Sequence, residues 1–353
     1  MSTGIAGQWA RRNVLITGGA GFVGSNLAAG LVKQGAQVTI LDNYHPDYGA
    51  NDANFDGFRE AVRVVRGDIT DRALMAELAS AADVIFHSAA QCSHVDSMVD
   101  PWLDLRFNCE GTLSLLEGCK TAIGNGGKTP AVVYVSTRAV VGAPLQSPAT
   151  ETVLPNPVDV YGVNKMASEY YGAVYARVHG IPSVSVRLTN SFGPRHQMRH
   201  GKYGILNWFV SLCLQGKPIK VFGTGEQLRD YLYIDDAVDA FMAAGLYAVA
   251  LPDNGKPGRH RLTGEHVPYA VFNVASGRPE RFVDCAHKVV AAVGKGHVEM
   301  VPWPKERKAI ETGDFVADSS EAQRILGWTP RITFDEGLKT TVDFYRERLP
   351  RYL

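Results

Sequence analysis

A tyrosine and a lysine four residues apart, Tyr161 and Lys165, are the side chains in this sequence best suited to proton transfer. They stand at the start of a helical pattern, where residues at this spacing share one helix face. A lysine ammonium beside a phenol favours the phenolate, so such a pair can accept a proton well below the ordinary tyrosine pKa of about 10. The same spacing also arises by chance on solvated helix faces, so the elements around the pair must decide between the two interpretations.

A glycine-rich loop follows the first strand-like run of the chain. Residues 13–17 are apolar and rich in branched side chains, and the sequence GGAGFVG and a helical pattern come directly after them. This order predicts a strand, a tight loop and a helix whose free N–H groups can hold a pyrophosphate. We therefore expect a cofactor that contains a pyrophosphate to bind at Gly18, Gly21, Phe22, Val23 and Gly24.

Asp42 ends the second strand-like run, residues 37–41, about 20 residues after the glycines. A carboxylate at this position can accept hydrogen bonds from both hydroxyls of an adenosine ribose and would repel a 2′-phosphate. The sequence therefore favours NAD over NADP. The alternative is that Asp42 is only a turn residue at the end of a strand.

Further strand-like runs at 61–65, 83–86 and 131–135, separated by plausible helices, predict an α/β fold with a Rossmann-like, doubly wound parallel sheet. Ligands collect at the carboxyl ends of strands in such sheets. Ser136 and Thr137 leave one of these strands, so that either hydroxyl is placed to hydrogen-bond a reacting oxygen. Other residues expected near the cofactor at these strand ends are Asp68, Ile69, Ala89, Ala90 and Gln91, although the alanines would also suit close helix packing.

Composition excludes several other classes of protein. The 353 residues allow two domains or one large domain with an appended lobe, and 36 basic residues balance 36 acidic ones, so no net charge favours nucleic acid or an anionic membrane. Five scattered cysteines show no metal-binding spacing and are expected to be reduced. No apolar run suggests a signal peptide or a membrane span, which predicts a cytoplasmic protein. Residues 251–268 lack an apolar period and predict a mobile or oligomer-facing loop.

Taken together, these motifs resemble the extended short-chain dehydrogenase/reductases of the NAD-dependent nucleotide-sugar epimerase/dehydratase family. The resemblance covers nearly the whole chain and continues through RLTNSFGP at 187–194, QLRDYLYIDD at 227–236 and LGWTP at 326–330. It implies an NAD-binding Rossmann domain over residues 1–185 and a smaller C-terminal substrate-binding lobe over 186–353. Segments near 230–250 and 270–275 are expected to cross back to the first domain.

The resemblance also implies a catalytic triad of Thr137, Tyr161 and Lys165. Tyr161 would take the proton from a sugar hydroxyl while hydride passes to NAD, and Lys165 would also hold the nicotinamide ribose. By the same resemblance, Asn43 would bind the cofactor, and Asn108 would support the region that binds it.

Substrate contacts are implied as well. Asn190 and Arg229 would meet the phosphates of a nucleotide-diphosphate sugar. Arg229 suits this role because its planar fork binds oxygens in pairs, and its alternative is a surface ion pair with Asp230. The two long helical patterns, 103–119 and 161–178, suit either a homodimer interface or ordinary core burial.

One departure from the family pattern narrows the function. Relatives that dehydrate a hexose carry Asp-Glu directly after the catalytic threonine, whereas this chain has Arg138 and Ala139. Dehydration by that route is therefore not expected. Arg138 is predicted either to contact a carboxylate or hydroxyl of the substrate or to point to solvent.

The sequence thus predicts an NAD-dependent nucleotide-sugar epimerase that uses no metal, with C4 of a UDP-hexose or UDP-hexuronate as the favoured centre. On the same scaffold, the alternatives are a 2-epimerase, a keto-sugar reductase, a dehydratase or a decarboxylase. From another class, the alternative is a nucleotide-binding protein without catalytic activity.

Overall fold

The structure is a computed structural model that describes residues 7–251 and 267–353. Most of the predicted loop at 251–268 therefore lies outside the described residues. The strands are β1 (Asn13–Thr17), β2 (Gln37–Asp42), β3 (Val62–Arg66), β4 (Val84–His87), β5 (Ala131–Thr137), β6 (Ser183–Leu188), β7 (Asn190–Phe192), β8 (Ile219–Phe222), β9 (Leu228–Tyr233), β10 (Tyr269–Val274), β11 (Pro279–Arg281) and β12 (Val298–Val301).

Seven strands form one parallel sheet in the order β10-β6-β5-β4-β1-β2-β3, which confirms the predicted Rossmann-like, doubly wound architecture. Its central strands are buried on both faces, as their uninterrupted branched apolar runs require. Strand order reverses between β1 and β4, where Thr17 pairs with His87. The loops after these two strands therefore meet at the switch point, where open α/β sheets bind ligands.

Helices cover both faces of this sheet. They are α1 (Phe22–Lys33), α2 (Arg72–Ala81), α3 (His94–Val99), α4 (Pro101–Leu105), α5 (Gly111–Gly124), α6 (Val160–His179), α7 (Ile205–Leu214), α8 (Ile234–Ala250), α9 (Phe282–Val293), α10 (Lys305–Ala309), α11 (Ser320–Leu326) and α12 (Phe334–Arg348). The β2–β3 connection has only two short 3₁₀ turns, Asp52–Phe55 and Arg59–Ala61. Across residues 7–251 and 267–353, every helix is too short or too polar to cross a membrane.

The helical pattern predicted at 103–119 contains a π-helical turn, Arg106–Glu110, between α4 and α5. Side-chain hydroxyls act there as hydrogen-bond donors to the main chain. Those of Thr112 and Ser168 both donate to the carbonyl of Asn108, at 2.5 and 2.8 Å. The extra residue in this turn carries Asn108 inward against the carbonyl of Gln91. π-Turns of this kind are frequent near functional sites.

A smaller lobe lies beyond β6 and contains the three-stranded sheet β11-β9-β7 and the pair β12-β8. Two segments return from it, because α8 packs over β5 and β6, and β10 extends the main sheet beside β6. The predicted boundary at residue 185 falls inside β6, so the division into two domains stays a prediction.

Candidate active site

One cavity of about 470 Å³ collects most of the residues singled out in the sequence. It opens between the carboxyl ends of the main-sheet strands and the smaller lobe. The predicted site residues that line it are Gly18, Gly21, Phe22, Val23, Asp42, Asn43, Ile69, Ala89, Ala90, Thr137, Arg138, Tyr161, Lys165, Asn190 and Arg229. The structure thus brings the glycine loop, the tyrosine–lysine pair and the two predicted substrate-binding arginines to one place.

Four of the residues predicted to bind the cofactor do not line the cavity and lie behind its wall. Asp68 accepts a hydrogen bond from Asn43 at 3.0 Å, so it orients a residue that does line the cavity. Gln91 and Asn108 are both buried, and their amide groups both donate to the Asp104 carboxylate, at 2.9 and 3.0 Å. The structure therefore places these three side chains behind the cavity wall, where they orient other residues.

The fourth of these residues is Gly24, which lies where the first turn of α1 meets the glycine loop. A Cβ at this position would collide with the carbonyl of Gly18. Gly18 itself has a φ of +66° and lies against the backbone of Ala89, a conformation and an approach that favour glycine. The glycines therefore let the loop pack closely enough for helix N–H groups to face a ligand.

Asp42 is fixed at the end of β2 beside this loop. Its two carboxylate oxygens accept backbone hydrogen bonds from Ala20 at 3.0 Å and from Tyr44 at 2.9 Å. Burial raises the pKa of Asp42 above its usual value, and these two bonds oppose the shift. Each oxygen keeps a second lone pair, so the oriented carboxylate can still accept from ribose hydroxyls.

The tyrosine and the lysine occupy the first turns of α6, which the Asp159 side chain caps by accepting from the N–H of Gly162 at 2.8 Å. Both side chains are buried. Lys165 Nζ donates to the carbonyl of Val135 at 2.7 Å and lies 4.2 Å from the centroid of the Tyr134 ring. The lysine is therefore anchored to β5 through the main chain.

The expected lowering of the Tyr161 pKa does not come from the protein's own groups. Burial raises the pKa of Tyr161, and the hydroxyl of Thr137 opposes that shift. Burial also lowers the pKa of Lys165 to about 8. A favoured phenolate thus needs a positive charge beyond what these side chains supply.

Thr137 and Ser136 have different surroundings at the end of β5. The Ser136 hydroxyl donates to Glu169 at 2.5 Å, and Glu169 also forms a buried bidentate ion pair with Arg187 at 2.6 to 3.2 Å. Thr137 Oγ1 accepts from the N–H of Ala139 at 3.2 Å and faces Tyr161. This arrangement is compatible with the predicted role of Thr137 and commits Ser136 to the buried network.

The two arginines predicted to bind substrate differ in their bonding. Arg138 is half-buried on the cavity wall, so its predicted alternative of pointing to solvent is wrong. Arg229 is buried and pairs with Glu311, so its predicted alternative of a surface ion pair with Asp230 is also wrong. The Asp230 carboxylate instead accepts hydrogen bonds from Ser276 and from the N–H of the next residue.

Comparison with known proteins identifies the family. Residues 14–261 of the chain match the NAD dependent epimerase/dehydratase family. The chain belongs to this family. NAD is the family's cofactor, and the glycine loop with Asp42 has the donors and acceptors that NAD requires.

Members of the NAD dependent epimerase/dehydratase family with assigned activities are similar over almost the entire chain. A UDP-glucose 4-epimerase from Mycolicibacterium smegmatis is 33% identical over 95% of this chain and 98% of its own length. UDP-glucuronic acid decarboxylase 1 from Xenopus tropicalis is 29% identical over 96% of this chain and 73% of its own. The crystal structure of a UDP-glucose 4-epimerase from Thermotoga maritima, solved with UDP-glucose, has a TM-score of 0.80 and 30% identity over 96% of this chain and 99% of that one. The chain is therefore an enzyme of the nucleotide-sugar epimerase, dehydratase and decarboxylase group.

Among the cavity residues that the sequence analysis missed, His94 and Glu311 make contacts with charged partners. His94 Nδ1 lies 2.5 Å from a carboxylate oxygen of Asp159, and its ring meets the Tyr161 ring edge-on, with 5.2 Å between centroids. Glu311 reaches the cavity through its ion pair with Arg229. Asp159 had a usable signal, since an aspartate directly before a helical pattern is a typical N-cap. His94 and Glu311 had none, because their partners are distant in sequence.

Proposed function

We propose that the protein is an NAD-dependent nucleotide-sugar 4-epimerase acting on a UDP-hexose or UDP-hexuronate. The observation that carries the proposal is the grouping of Thr137, Tyr161 and Lys165 on one cavity wall without an acid pair after Thr137. These residues suit reversible proton transfer at one hydroxyl. NAD, when bound, takes up and returns the hydride.

The chemistry needs one proton and one hydride to move in each direction. Tyr161 removes the proton of the C4 hydroxyl as the C4 hydride leaves, which gives a 4-keto sugar. After the sugar turns over, hydride returns to its other face and Tyr161 gives the proton back to the oxygen. Thr137 hydrogen-bonds that oxygen, Lys165 holds the nicotinamide ribose, and no net oxidation results.

The carboxylates of the cavity argue against the dehydratase alternative. In the described chain, the lining carboxylates are Asp42, beside the glycine loop, and Glu311, which is paired with Arg229. Elimination of water needs an acid and a base beside the reacting carbons. Arg138 and Ala139 hold the positions where dehydrating relatives carry that pair.

The test is product analysis by NMR with a panel of nucleotide hexoses and hexuronates and added NAD. A C4 epimer from the native protein and none from Tyr161→Phe supports the proposal. Release of carbon dioxide would instead indicate a decarboxylase, and stoichiometric consumption of NADH would indicate a reductase. Identical results from the native protein and Tyr161→Phe would refute the assigned role of the tyrosine.

We also propose that the enzyme is a homodimer that uses the outer faces of α4 and α6. These helices pack together and expose several large apolar side chains, with Trp102 77% and Val174 43% accessible. The other exposed large apolar side chains of these two helices are Leu105, Val163, Tyr170 and Val178. A second copy would cover the patch with an identical apolar surface. Light scattering should give twice the chain mass for the native protein and a smaller mass for Trp102→Glu.

A further inference from the structure

The cavity holds an arginine whose charge has no carboxylate partner among the described residues. Arg138 Nε donates to Asn190 Oδ1 at 3.0 Å, and its Nη1 donates to the hydroxyl of Thr312 at 3.3 Å. Its guanidinium lies 5.2 Å from the centroid of the Phe315 ring. All three neighbours are neutral, and the guanidinium keeps further N–H donors that these contacts do not use.

Arg229 provides the contrast within the same cavity. Its guanidinium pairs with Glu311 and donates to the carbonyls of Leu228 and Gly313, at 2.9 and 2.5 Å. Its charge is therefore compensated by the protein. A half-buried arginine without a hydrogen-bonded carboxylate is costly unless a ligand supplies the anion.

Burial and the neighbouring charge of Arg229 lower the pKa of Arg138 to about 10, while the more distant carboxylates of Glu311 and Asp159 oppose this shift. This value still leaves the guanidinium charged at neutral pH. The cavity wall therefore carries a permanent positive charge that an anionic ligand would stabilise.

The position of Arg138 indicates which part of the ligand meets it. The residue follows Thr137 directly, and the Thr137 hydroxyl faces Tyr161, so we place Arg138 beside the reacting sugar, with its guanidinium also bonded to Asn190, which the sequence assigns to the phosphates. Two other lining cations have no carboxylate partner in residues 7–251 and 267–353: Lys165, which is anchored to the Val135 carbonyl, and Arg307 on α10, just before Glu311. Among the arginines of the cavity, Arg138 is thus the one that follows a residue of the proposed catalytic triad directly in the chain.

We propose that Arg138 is the receptor for a carboxylate on the hexose, so that the substrate is a nucleotide hexuronate rather than a neutral nucleotide hexose. This inference rests on the proposed function and names its substrate class. The planar fork of Arg138 can donate two parallel hydrogen bonds to a carboxylate, whereas a hydroxymethyl group would leave the charge uncompensated. Asn190 and Thr312 hold the fork in place.

Two ligands that differ at one group provide the test. UDP-glucuronate and UDP-glucose share the nucleotide, the diphosphate and the ring, and they differ by a carboxylate against a hydroxymethyl group. With the NAD-loaded native enzyme, we expect tighter binding and a higher kcat/KM for UDP-glucuronate. In Arg138→Gln, the ratio of the two kcat/KM values should fall about 100-fold, as is usual when one partner of a desolvated charge pair is truncated.

Further variants separate this role from others. Arg138→Lys keeps the charge without the fork and should recover part of the preference. Arg281→Gln removes an exposed arginine and should leave the ratio as in the native enzyme. Equal weakening of UDP, UDP-glucose and UDP-glucuronate in Arg138→Gln would assign the residue to the diphosphate and overturn the inference. An unchanged ratio would also overturn it and would leave Arg138 as a cross-link to Thr312.

Calorimetry keeps the inference distinct from the proposed reaction. If the native enzyme turns over neither sugar but binds UDP-glucuronate more tightly than UDP-glucose, the 4-epimerase proposal fails and the carboxylate site stands. If it epimerises UDP-glucose and binds the two sugars equally, the carboxylate site fails alone. Native binding needs no variant, so a folding defect in Arg138→Gln does not prevent a decision.

Discussion

Replacing Lys165 by methionine should make the protein more stable at neutral pH while removing its activity. Lys165 is only 2% exposed, and burial lowers its pKa from 10.5 to about 8. At 1.36 kcal/mol per pH unit, this difference corresponds to about 3 kcal/mol of destabilisation from holding the charged amine at pH 7. Methionine has a similar length and no charge, so Lys165→Met should recover a large part of this free energy.

The sign of the pH dependence follows from proton uptake. Between about pH 8 and 10.5, the unfolded chain keeps the lysine proton and the folded chain has lost it, so stability rises with pH in this window. The advantage of Lys165→Met should therefore be largest at pH 7 and shrink by about 1.4 kcal/mol per pH unit above pH 8. Taking the difference between the native protein and the variant cancels the titration of the buried tyrosines, which acts near pH 10 and above.

Urea denaturation followed by circular dichroism at pH 7, 8, 9 and 10 measures this difference. Lys217→Met, at an exposed lysine, is the matched control and should show no pH-dependent gain. A Lys165→Met protein less stable than the native one at pH 7 would refute the reasoning. It would show that the Val135 carbonyl and the Tyr134 ring fully compensate the buried charge.

Three other substitutions test particular contacts of the site. Glu311→Gln removes the carboxylate that competes for Arg229 and should tighten UDP binding about tenfold by calorimetry, whereas weaker binding would mean that Glu311 contacts the ligand itself. Glu169→Gln breaks the buried bidentate pair with Arg187 and should lower the free energy of unfolding by about 3 kcal/mol, and a loss under 1 kcal/mol would contradict this. His94→Val leaves the buried carboxylate that caps α6 without its imidazole partner, so we expect a lower melting temperature and a lower kcat, and unchanged values would exclude a positioning role.

Five strands of the main sheet, β1 to β5, could be predicted because each carries its own signal, whereas β6 and β10 are not singled out as strands. Residues 13–17 coincide with β1, and the runs at 37–41, 61–65 and 83–86 are each within one residue of a strand at both ends. The exception is β5, which continues two residues beyond the predicted 131–135 because Ser136 and Thr137 still pair with Arg187 and Leu188 of β6. The end of β5 is therefore set by its pairing with β6, which the local sequence does not encode.

The π turn before α5 could not be predicted for a similar reason. Its extra residue is stabilised by the hydroxyl of Ser168, which is 60 residues away from Asn108. This tertiary hydrogen bond is the part of the arrangement that the local sequence does not encode, whereas the bond from Thr112 is local.

In the site, motif spacing located residues but not their electrostatics. The position of Tyr161 on the cavity wall follows from its place at the start of α6. Whether its pKa is raised or lowered depends instead on how completely the side chain is buried. The partners of His94 and Arg229 are 65 and 82 residues away in the chain. No local pattern encodes such pairs.

The raised pKa of Tyr161 and the lowered pKa of Lys165 together suit a reversible reaction. Burial penalises the charged form of both groups, and the Tyr161 phenolate needs a positive charge nearby to form. On the proposed function, oxidised nicotinamide held by Lys165 would add a positive charge near Tyr161, and reduced nicotinamide would not. Tyr161 is then the stronger base when a hydroxyl must lose its proton and the stronger acid when the keto oxygen must regain one. Burial of the pair, which opposes ionisation in the protein alone, thus lets the redox state of the cofactor set the direction of proton transfer.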